Sequence, residues 1–336
     1  MNPRPPKMDA EFKKKRAQWL RCLGSTAGTK GAKADRNAIV IQVQDMVWSS
    51  AVFGVVLKAR EIANTDSDGN LQMSGLIHRR LDRWFYESQI AAIRRVLDPS
   101  KRASISGRNA VSALLPLLAD MKQNRQLFTR KNLCAASSTC LDADAVRKAD
   151  LDGRRAGREG GMGILDSRVT DDTHKMIDRL CNVTSGKRSP KDSVVASVFR
   201  KLERLLDRAN PLHRHATKFV AHAATRLSRS QVEKLKVTLN DIWAAQESIC
   251  QACQFIEICL LHGFSRPSFL AMAAGDKFKH IDKPLVLPGR VQQLGDAWND
   301  FEQETERWME DVLERVIGGQ NRRPPSPPTG TSPPTS

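Results

Sequence analysis

The sequence predicts an all-α fold, a bundle of four or more long helices with peripheral helices and a disordered tail. Apolar residues recur three or four positions apart through most of the chain, which is the spacing of one helix face. The composition is 40% hydrophobic but only 5% aromatic, and Leu, Ala, Val and Ile dominate, which suits helices better than sheets. No segment alternates convincingly as a strand, and no internal repeat is present.

The N-terminal residues 1–36 are expected to form a basic flexible arm. They carry ten Lys or Arg against three Asp or Glu. Residues 9–22 are predicted as a short basic helix, and the Gly- and Lys-rich run 24–34 as a flexible linker.

The helical bundle itself is expected over 37–262. Apolar periodicity predicts buried helices over 38–63 and 75–98. A third helix is predicted over 106–128, with a kink at Pro116 because proline lacks the amide hydrogen of a helix interior.

The next helices are predicted at 171–182 and 191–208, with Asp171 as the N-cap of the first. Asn210 and Pro211 then have the pattern of a cap residue followed by proline at the first helical position. They predict the start of a further helix.

A capping box at Ser230 and Glu233 predicts the longest helix, over 231–262, ended by Gly263. Its apolar residues follow nearly a heptad pattern, which requires partner helices on one side. The helix therefore suits either the centre of the bundle or a dimer interface.

Two parts of the chain depart from the helical bundle pattern. Residues 132–166, rich in Cys, Ser, Asp, Gly and Arg, are predicted as a loop insertion with a short helix at 142–151. After the bundle, 263–318 are expected to contribute an acidic helix over 291–316 that packs on the bundle, and 319–336 a disordered Pro/Ser/Thr tail.

The overall charge favours an anionic partner. The net charge is +17 and the isoelectric point about 9.9, and nucleic acid is the commonest partner of such a protein. The chain has seven cysteines, no signal peptide and no run of about 20 apolar residues. We therefore expect a cytoplasmic protein with reduced thiols and no membrane partner.

Three short motifs resemble ligand sites but fail on spacing. The Cys and His residues of 250–262 would lie on one helix, which separates Cys250 from His262 by about 18 Å and prevents them from sharing a zinc ion. The Asp-rich run 66–70 lacks ligands that a calcium loop needs. The Gly-rich run 157–163 follows no strand and lacks the Lys-Ser/Thr of a phosphate-binding loop. No cofactor or metal is expected.

The run RHATKFVAH, residues 214–222, predicts an amphipathic helix with a basic face. At about 100° per residue the polar side chains share one face, and they are Arg214, His215, Lys218 and His222. The apolar side chains share the other, and they are Leu212, Ala216, Phe219, Val220 and Ala223. Imidazole beside fixed positive charge suits metal-independent RNA cleavage, in which His takes the ribose 2′-OH proton and Arg or Lys stabilises the phosphate. The alternative is a solvated basic face with a hydrogen-bonded histidine.

This segment resembles the signature of the HEPN superfamily, which consists of all-helical domains in prokaryotic toxins and abortive-infection systems. The signature is Arg, a polar residue and, a few residues later, His; here these are Arg214, His215 and His222. The run WFYESQIAAIRRVLDP, followed by the Leu-rich SALLPLLADM, is similar to the AbiU-type branch. Seven residues separate Arg214 from His222, one more than is usual in the family, and Lys218 is the alternative source of positive charge.

The resemblance implies an RNA-acting protein of bacterial defence, with a homodimer and an antitoxin protein as partners. In an active enzyme His222 would be the acid and base, Arg214 with Lys218 would stabilise the phosphate, and His215 would orient or assist. Two alternatives stay open, a non-catalytic nucleic-acid-binding or protein-interaction module and a purely structural helical scaffold. The basic run 13–16 suits either a phosphate contact or a solvated arm.

Overall fold

A computed structural model describes most of the predicted bundle. The described residues are 4–24, 37–63, 67–68, 75–98, 105, 112–155, 167–216, 237–263, 269–270, 292–293, 295–297, 299–300 and 303, without the side chains of 150, 152–155, 213 and 214. Across these ranges the chain is helical, with one isolated antiparallel bridge between Thr129 and Ser193 and no strand. The all-α prediction is confirmed.

The chain divides into two compact units, Met1–Ala271 and Met272–Ser336. In the second unit the described positions are helical and fall within the predicted acidic helix 291–316. Its packing stays a prediction. Every element below belongs to the first unit.

Ten α-helices are described in this first unit. They are α1 Ala10–Leu23, α2 Ile39–Glu61, α3 Gly75–Leu97, α4 Leu114–Gln123, α5 Arg130–Ala136, α6 Ala143–Arg155, α7 Ser167–Cys181, α8 Ala196–Leu206, α9 Asn210–His215 and α10 Leu239–Phe255. A π-helical turn, Ile256–Leu260, extends α10. Short 3₁₀ turns lie at Arg125–Leu127, Ser185–Lys187 and Asp207–Ala209.

Helix α10 lies at the centre of the core and packs against α2, α3, α8 and α9. Its buried apolar residues include Ile242, Ile249 and Cys253, which belong to the predicted seam. The buried amide of Gln246 donates to Ser50 Oγ of α2 and to Gln89 Oε1 of α3, both at 2.7 Å. These two bonds fix α10 against both helices.

Helices α2 and α3 form an antiparallel hairpin. The rings of Phe53 and Phe85 stack with centroids 3.8 Å apart, and Arg60 Nη1 donates to Asp82 Oδ1 at 2.7 Å. Helix α2 is long and apolar enough to cross a membrane, with 33% of its most apolar stretch buried. A core helix of a soluble protein has the same length and composition, so this is weak evidence for a span.

The short helix predicted over 9–22 is confirmed in α1, but its burial corrects the prediction of a flexible arm over 1–36. Phe12, Trp19 and Leu23 are fully buried, and Trp19 Nε1 donates to Asp120 Oδ2 at 2.7 Å. Their spacing of seven and four residues places them on one face of the helix. The many lysines and arginines around them concealed this apolar face, which forms part of the core.

The prediction of a kink at Pro116 was wrong. Helix α4 begins at Leu114, so Pro116 lies in the first turn. Amide hydrogens of the first turn have no partner within the helix, and proline is tolerated there without a bend.

Much of the predicted insertion 132–166 is helical. Helix α5 and helix α6 lie within or across it, and α6 packs against α7. The short helix predicted at 142–151 is confirmed in Ala143–Arg155. Residues 156–166 lie outside the described residues.

Two predicted helix starts were also wrong. Helix α7 begins at Ser167, so Asp171 is no cap, and its carboxylate instead accepts a hydrogen bond from Arg147 at 3.0 Å. Helix α8 begins at Ala196 rather than 191, because the backbone amide groups of Val194 and Val195 donate to carbonyl groups elsewhere in the bundle.

A single helix over 231–262 was wrong as well. Thr238 has extended backbone angles, φ −101° and ψ 166°, and forms a capping box with Asp241 that starts α10. The box predicted at Ser230 and Glu233 lies outside the described residues.

Candidate nucleic-acid interface

The predicted site segment follows a nearly continuous helical path from α8 into α9. Helix α8 buries Phe199, Leu202 and Leu206, and the 3₁₀ turn Asp207–Ala209 connects it to α9. Asn210 has helical angles, φ −58° and ψ −38°, so the prediction that it caps α9 was wrong. The preceding helical turn leaves α9 without a separate N-terminus.

The buried face of α9 agrees with the predicted stripe as far as the helix is described. Leu212 is 1% exposed and Ala216 is 0% exposed. Helix α9 contacts α3 and α10 through this face. The rest of the stripe, Phe219, Val220 and Ala223, lies outside the described residues.

The polar residues of the motif are only partly within the described chain. Arg214 belongs to α9, but its side chain lies outside the described part. His215 follows it at the end of the same helix. Lys218 and His222 lie outside the described residues, so the approach of Arg214 to His222 stays a prediction.

His215 is half-buried rather than fully on the solvent face that the periodicity predicts. Burial lowers the pKa of its imidazole, because a low-dielectric environment disfavours the charged form. His215 is therefore neutral near pH 7. A neutral imidazole can accept a proton, which suits an assisting role beside a reacting hydroxyl group.

A row of arginines along α8, which we call the basic stripe, leads to this motif. Arg200, Arg204 and Arg208 are all exposed and lie four residues apart, on one side of the helical path. Lys201 is exposed beside them. Within the described ranges, none of the three arginines forms a salt bridge with a carboxylate. Among the described residues, nothing neutralises these three charges.

The basic stripe was missed at the level of sequence. The excess of twelve Lys or Arg over three Asp or Glu in 179–229 is visible there, but only as a total. The arginines are spaced four residues apart and lie opposite the apolar Phe199 and Leu202. This spacing is the signal that could have assigned them to one face.

A second cluster of charged side chains is buried and has a structural role. The side chain of Arg130 in α5 is 2% exposed, and it pairs with Asp178 at 2.7 Å and Asp192 at 3.0 Å. Its Nη1 lies 3.3 Å from His174 Nδ1, while His174 Nε2 lies 2.9 Å from the carbonyl oxygen of Cys140. A carbonyl only accepts, so Nε2 carries the proton and Nδ1 accepts from Arg130.

This buried cluster fixes the chain that enters α8. Burial raises the pKa of Asp178, but hydrogen bonds from Arg188 and Arg130 outweigh burial and hold the pKa below its ordinary value. Both ring nitrogens of His174 are occupied by these contacts. The cluster therefore ties α5, α7 and residues 188–192 together and supports the position of the basic stripe.

The cysteines have the character of core thiols. Burial raises the pKa of Cys253 well above its ordinary value and that of Cys250 to about 11. Cys253 is buried, and Cys250 and Cys259 are half-buried. Among the described residues, no three His, Cys, Asp or Glu side chains are grouped so that they could hold a metal ion.

No family model, curated protein or solved structure matches this chain. The function is therefore inferred from the charge and geometry of α8 and α9 and from the motif.

Proposed function

We propose that this chain is a HEPN-like protein that acts on RNA, as a metal-independent endoribonuclease of a bacterial defence or toxin system in the cytoplasm. The observation that carries the proposal is the basic stripe, which ends at Arg208, six residues before Arg214 on the same helical path. Exposed guanidinium groups in a row bind successive phosphates of a nucleic-acid backbone. The pair then lies beside the bound strand.

The chemistry assigned to the motif needs no metal. His222 takes the proton of a ribose 2′-OH group, whose oxygen attacks the adjacent phosphorus while the bond from phosphorus to the 5′ oxygen breaks. The imidazole of His222, now protonated, then donates a proton to the leaving 5′ oxygen. Arg214 with Lys218 stabilises the charge on the phosphate, and His215 orients or assists.

The second candidate is a non-catalytic nucleic-acid-binding or protein-interaction module. The seven-residue separation of Arg214 and His222 favours it, because the extra residue moves the two side chains apart around the helix. Both candidates use the basic stripe. An antitoxin protein and a second copy of the chain are the further partners that the motif implies.

Cleavage of single-stranded RNA in the presence of EDTA distinguishes these candidates. We expect the wild type to cleave and His222→Ala to lose about 10²–10⁴-fold in rate, the typical contribution of an acid-base group. His213→Ala is the matched control, because His213 directly precedes the motif but, at about 100° per residue, does not belong to its polar face, and it should retain its rate.

Other outcomes decide between the remaining roles. Salt-dependent RNA binding without cleavage supports the non-catalytic module. Cleavage that EDTA abolishes contradicts the metal-independent mechanism. Absence of RNA affinity at low salt contradicts both the endoribonuclease and a nucleic-acid-binding module, and leaves protein interaction or a structural scaffold as the role.

A further inference from the structure

The α2–α3 hairpin exposes large apolar side chains on the face that points away from the core. On α2, Trp48 is 37% and Val52 49% exposed, and Ile62, which follows the last residue of α2, is 71% exposed. On α3, Ile77 is 59% and Trp84 67% exposed. Single exposed apolar residues are common, but a contiguous group of this size indicates a contact surface.

The exposed apolar residues belong to a heptad pattern on each helix, which the half-buried Val55 and Ser88 complete. On α2 the positions 48, 52, 55, 59 and 62 are Trp, Val, Val, Ala and Ile, separated by four, three, four and three residues. On α3 the positions 77, 81, 84, 88 and 91 are Ile, Leu, Trp, Ser and Ala, with the same separations. This spacing is that of a seam along which a helix packs against another helix.

Both seams lie on the same side of the hairpin. Helix α10 marks the core side, where its Gln246 contacts Ser50 and Gln89. At about 100° per residue, the α2 seam points about 120–180° away from Ser50, and the α3 seam about 80–160° away from Gln89. The stacked Phe53 and Phe85 lie between the helices. The two seams therefore form one outer face.

We propose that this outer face is where two copies of the chain associate, so that two α2–α3 hairpins form a four-helix bundle. The seven exposed large apolar side chains of the hairpin expose on the order of 700 Å² at roughly 100 Å² each. This is close to the roughly 800 Å² per partner of a stable interface. They are Trp48, Val52, Ile62, Leu76, Ile77, Leu81 and Trp84.

The seams are self-complementary about a two-fold axis perpendicular to the helices. The Phe53–Phe85 stack sets α2 and α3 in register, so that the midpoints of the two seams, Val55 and Trp84, lie at nearly the same level. An axis at that level places Trp48 opposite the partner's Ile62 and Ile77 opposite the partner's Ala91. Large side chains thereby meet apolar residues of the other copy.

Charges at the edge of the α3 seam fit the same axis. Arg80 and Glu87 are exposed and lie seven residues apart, on the side away from α2, and Glu87 also accepts a hydrogen bond from Arg83 of its own helix at 2.8 Å. Antiparallel packing of α3 on its copy places Arg80 opposite the partner's Glu87, and the symmetric pair forms as well. A surface that inserts into lipid gains nothing from such a pattern, and the carboxylates of Asp45 and Glu87 beside the seams oppose insertion.

The proposal locates the self-association that the proposed function implies, and it is tested by mass in solution, independently of RNA cleavage. Sedimentation equilibrium should give a dimer for the wild type and a monomer for the double variant Ile77→Glu/Trp84→Glu. Val169→Glu on α7 is the matched control, because Val169 and Ile77 are both 59% exposed. It should remain a dimer, and circular dichroism should show that all three proteins are folded.

A charge exchange tests the antiparallel arrangement. Arg80→Glu and Glu87→Arg should each weaken dimerisation by roughly tenfold at low salt, and the double variant should recover most of the affinity. If either change acted only within its own helix, the double variant would not recover dimerisation.

Several results would overturn the proposal. A monomeric wild type at micromolar concentrations would do so, as would a dimer that Ile77→Glu/Trp84→Glu leaves intact. If the wild type is monomeric but sediments with phosphatidylglycerol vesicles, and Ile77→Glu/Trp84→Glu abolishes this, the outer face binds membrane rather than a second copy.

Discussion

At the scale of single residues, the buried ionic cluster around Arg130 determines which substitutions are severe. Asp178 accepts hydrogen bonds from both Arg130 and Arg188, and its side chain is 14% exposed. Removal of one member of a buried pair leaves an uncompensated charge, which is more damaging than loss of the pair itself.

We predict that Asp178→Asn lowers the free energy of unfolding by about 3 kcal/mol, measured by urea denaturation. The matched control is Asp172→Asn on the same helix, where the carboxylate is 76% exposed and pairs with Lys175. An exposed pair of this kind contributes less than about 1 kcal/mol. Equal effects of the two substitutions would show that the cluster is not a buried unit.

The pKa of the buried His262 determines part of how the free energy of unfolding depends on pH. Burial, and then the charge of Arg16, lower the pKa of His262 to about 4, against about 6.5 in the unfolded chain. Between these values the unfolded chain binds the proton that the folded chain does not, so stability falls as the pH falls. Burial also lowers the pKa of His174, which acts in the same direction.

We predict that the wild type loses stability between pH 7 and pH 5, with His262 contributing about 2 kcal/mol of the loss. His262→Asn should reduce the loss by that amount, measured by denaturation at the two pH values. Asn is chosen because His262 has a φ of 44°, a conformation that Asn tolerates. An unchanged pH dependence in this variant would contradict a buried neutral His262.

At the scale of helices, the end of α1 depends on one glycine. Gly24 ends α1 with a φ of 87°, and a Cβ atom there would lie 2.6 Å from Ala38 Cβ. Gly24→Ala should therefore lower the free energy of unfolding by about 1–3 kcal/mol through backbone strain and this clash.

Gly54→Ala in the middle of α2 is the opposite case. A Cβ at Gly54 meets no atom within 4 Å, and Ala favours the helix by up to about 1 kcal/mol. In thermal denaturation, the midpoint of Gly24→Ala should lie below that of the wild type and the midpoint of Gly54→Ala above it. A similar change in both would contradict the left-handed helix end.

Some helices follow directly from the sequence pattern, whereas the pattern predicts others incompletely. For α2 and α3 the predicted ranges 38–63 and 75–98 agree closely with the structure, because long apolar periodicity dominates the local signal. Helix α1 was predicted over 9–22 and is present, but its position in the core was missed because its lysines and arginines were read as a solvated arm. The start of α10 was assigned by one cap pattern at Ser230, whereas Thr238 supplies another.

The candidate site was predictable only in part. The apolar face at Leu212 and Ala216 follows from the helical period and is confirmed. The half-burial of His215 depends on the packing of α9 against α3 and α10, which periodicity does not contain. The basic stripe is encoded locally by Arg200, Arg204 and Arg208, but a total of charges does not reveal it.

At the scale of the whole molecule, the net charge of +17 is divided between structural and available groups. Lys15 and Arg130 are used within the fold, by Asp120 and by the buried cluster respectively. Arg16 is used as well, because it donates to the carbonyl oxygen of Leu261 at 2.7 Å. The basic stripe is different, because its guanidinium groups are exposed, aligned and adjacent to the motif.

The central claim is that RNA binds along the basic stripe, and the salt dependence of RNA affinity tests it most directly. The triple variant Arg200→Gln/Arg204→Gln/Arg208→Gln is compared with the wild type and with an equally charged control in which three exposed cations of α6 and α7 are changed, Lys148→Gln/Lys175→Gln/Arg179→Gln. Loss of three phosphate contacts should reduce the slope of log affinity against log salt by about 2 for single-stranded RNA. We expect this reduction in the stripe variant and little change in the control. Equal slopes in all three proteins would contradict RNA binding along the basic stripe.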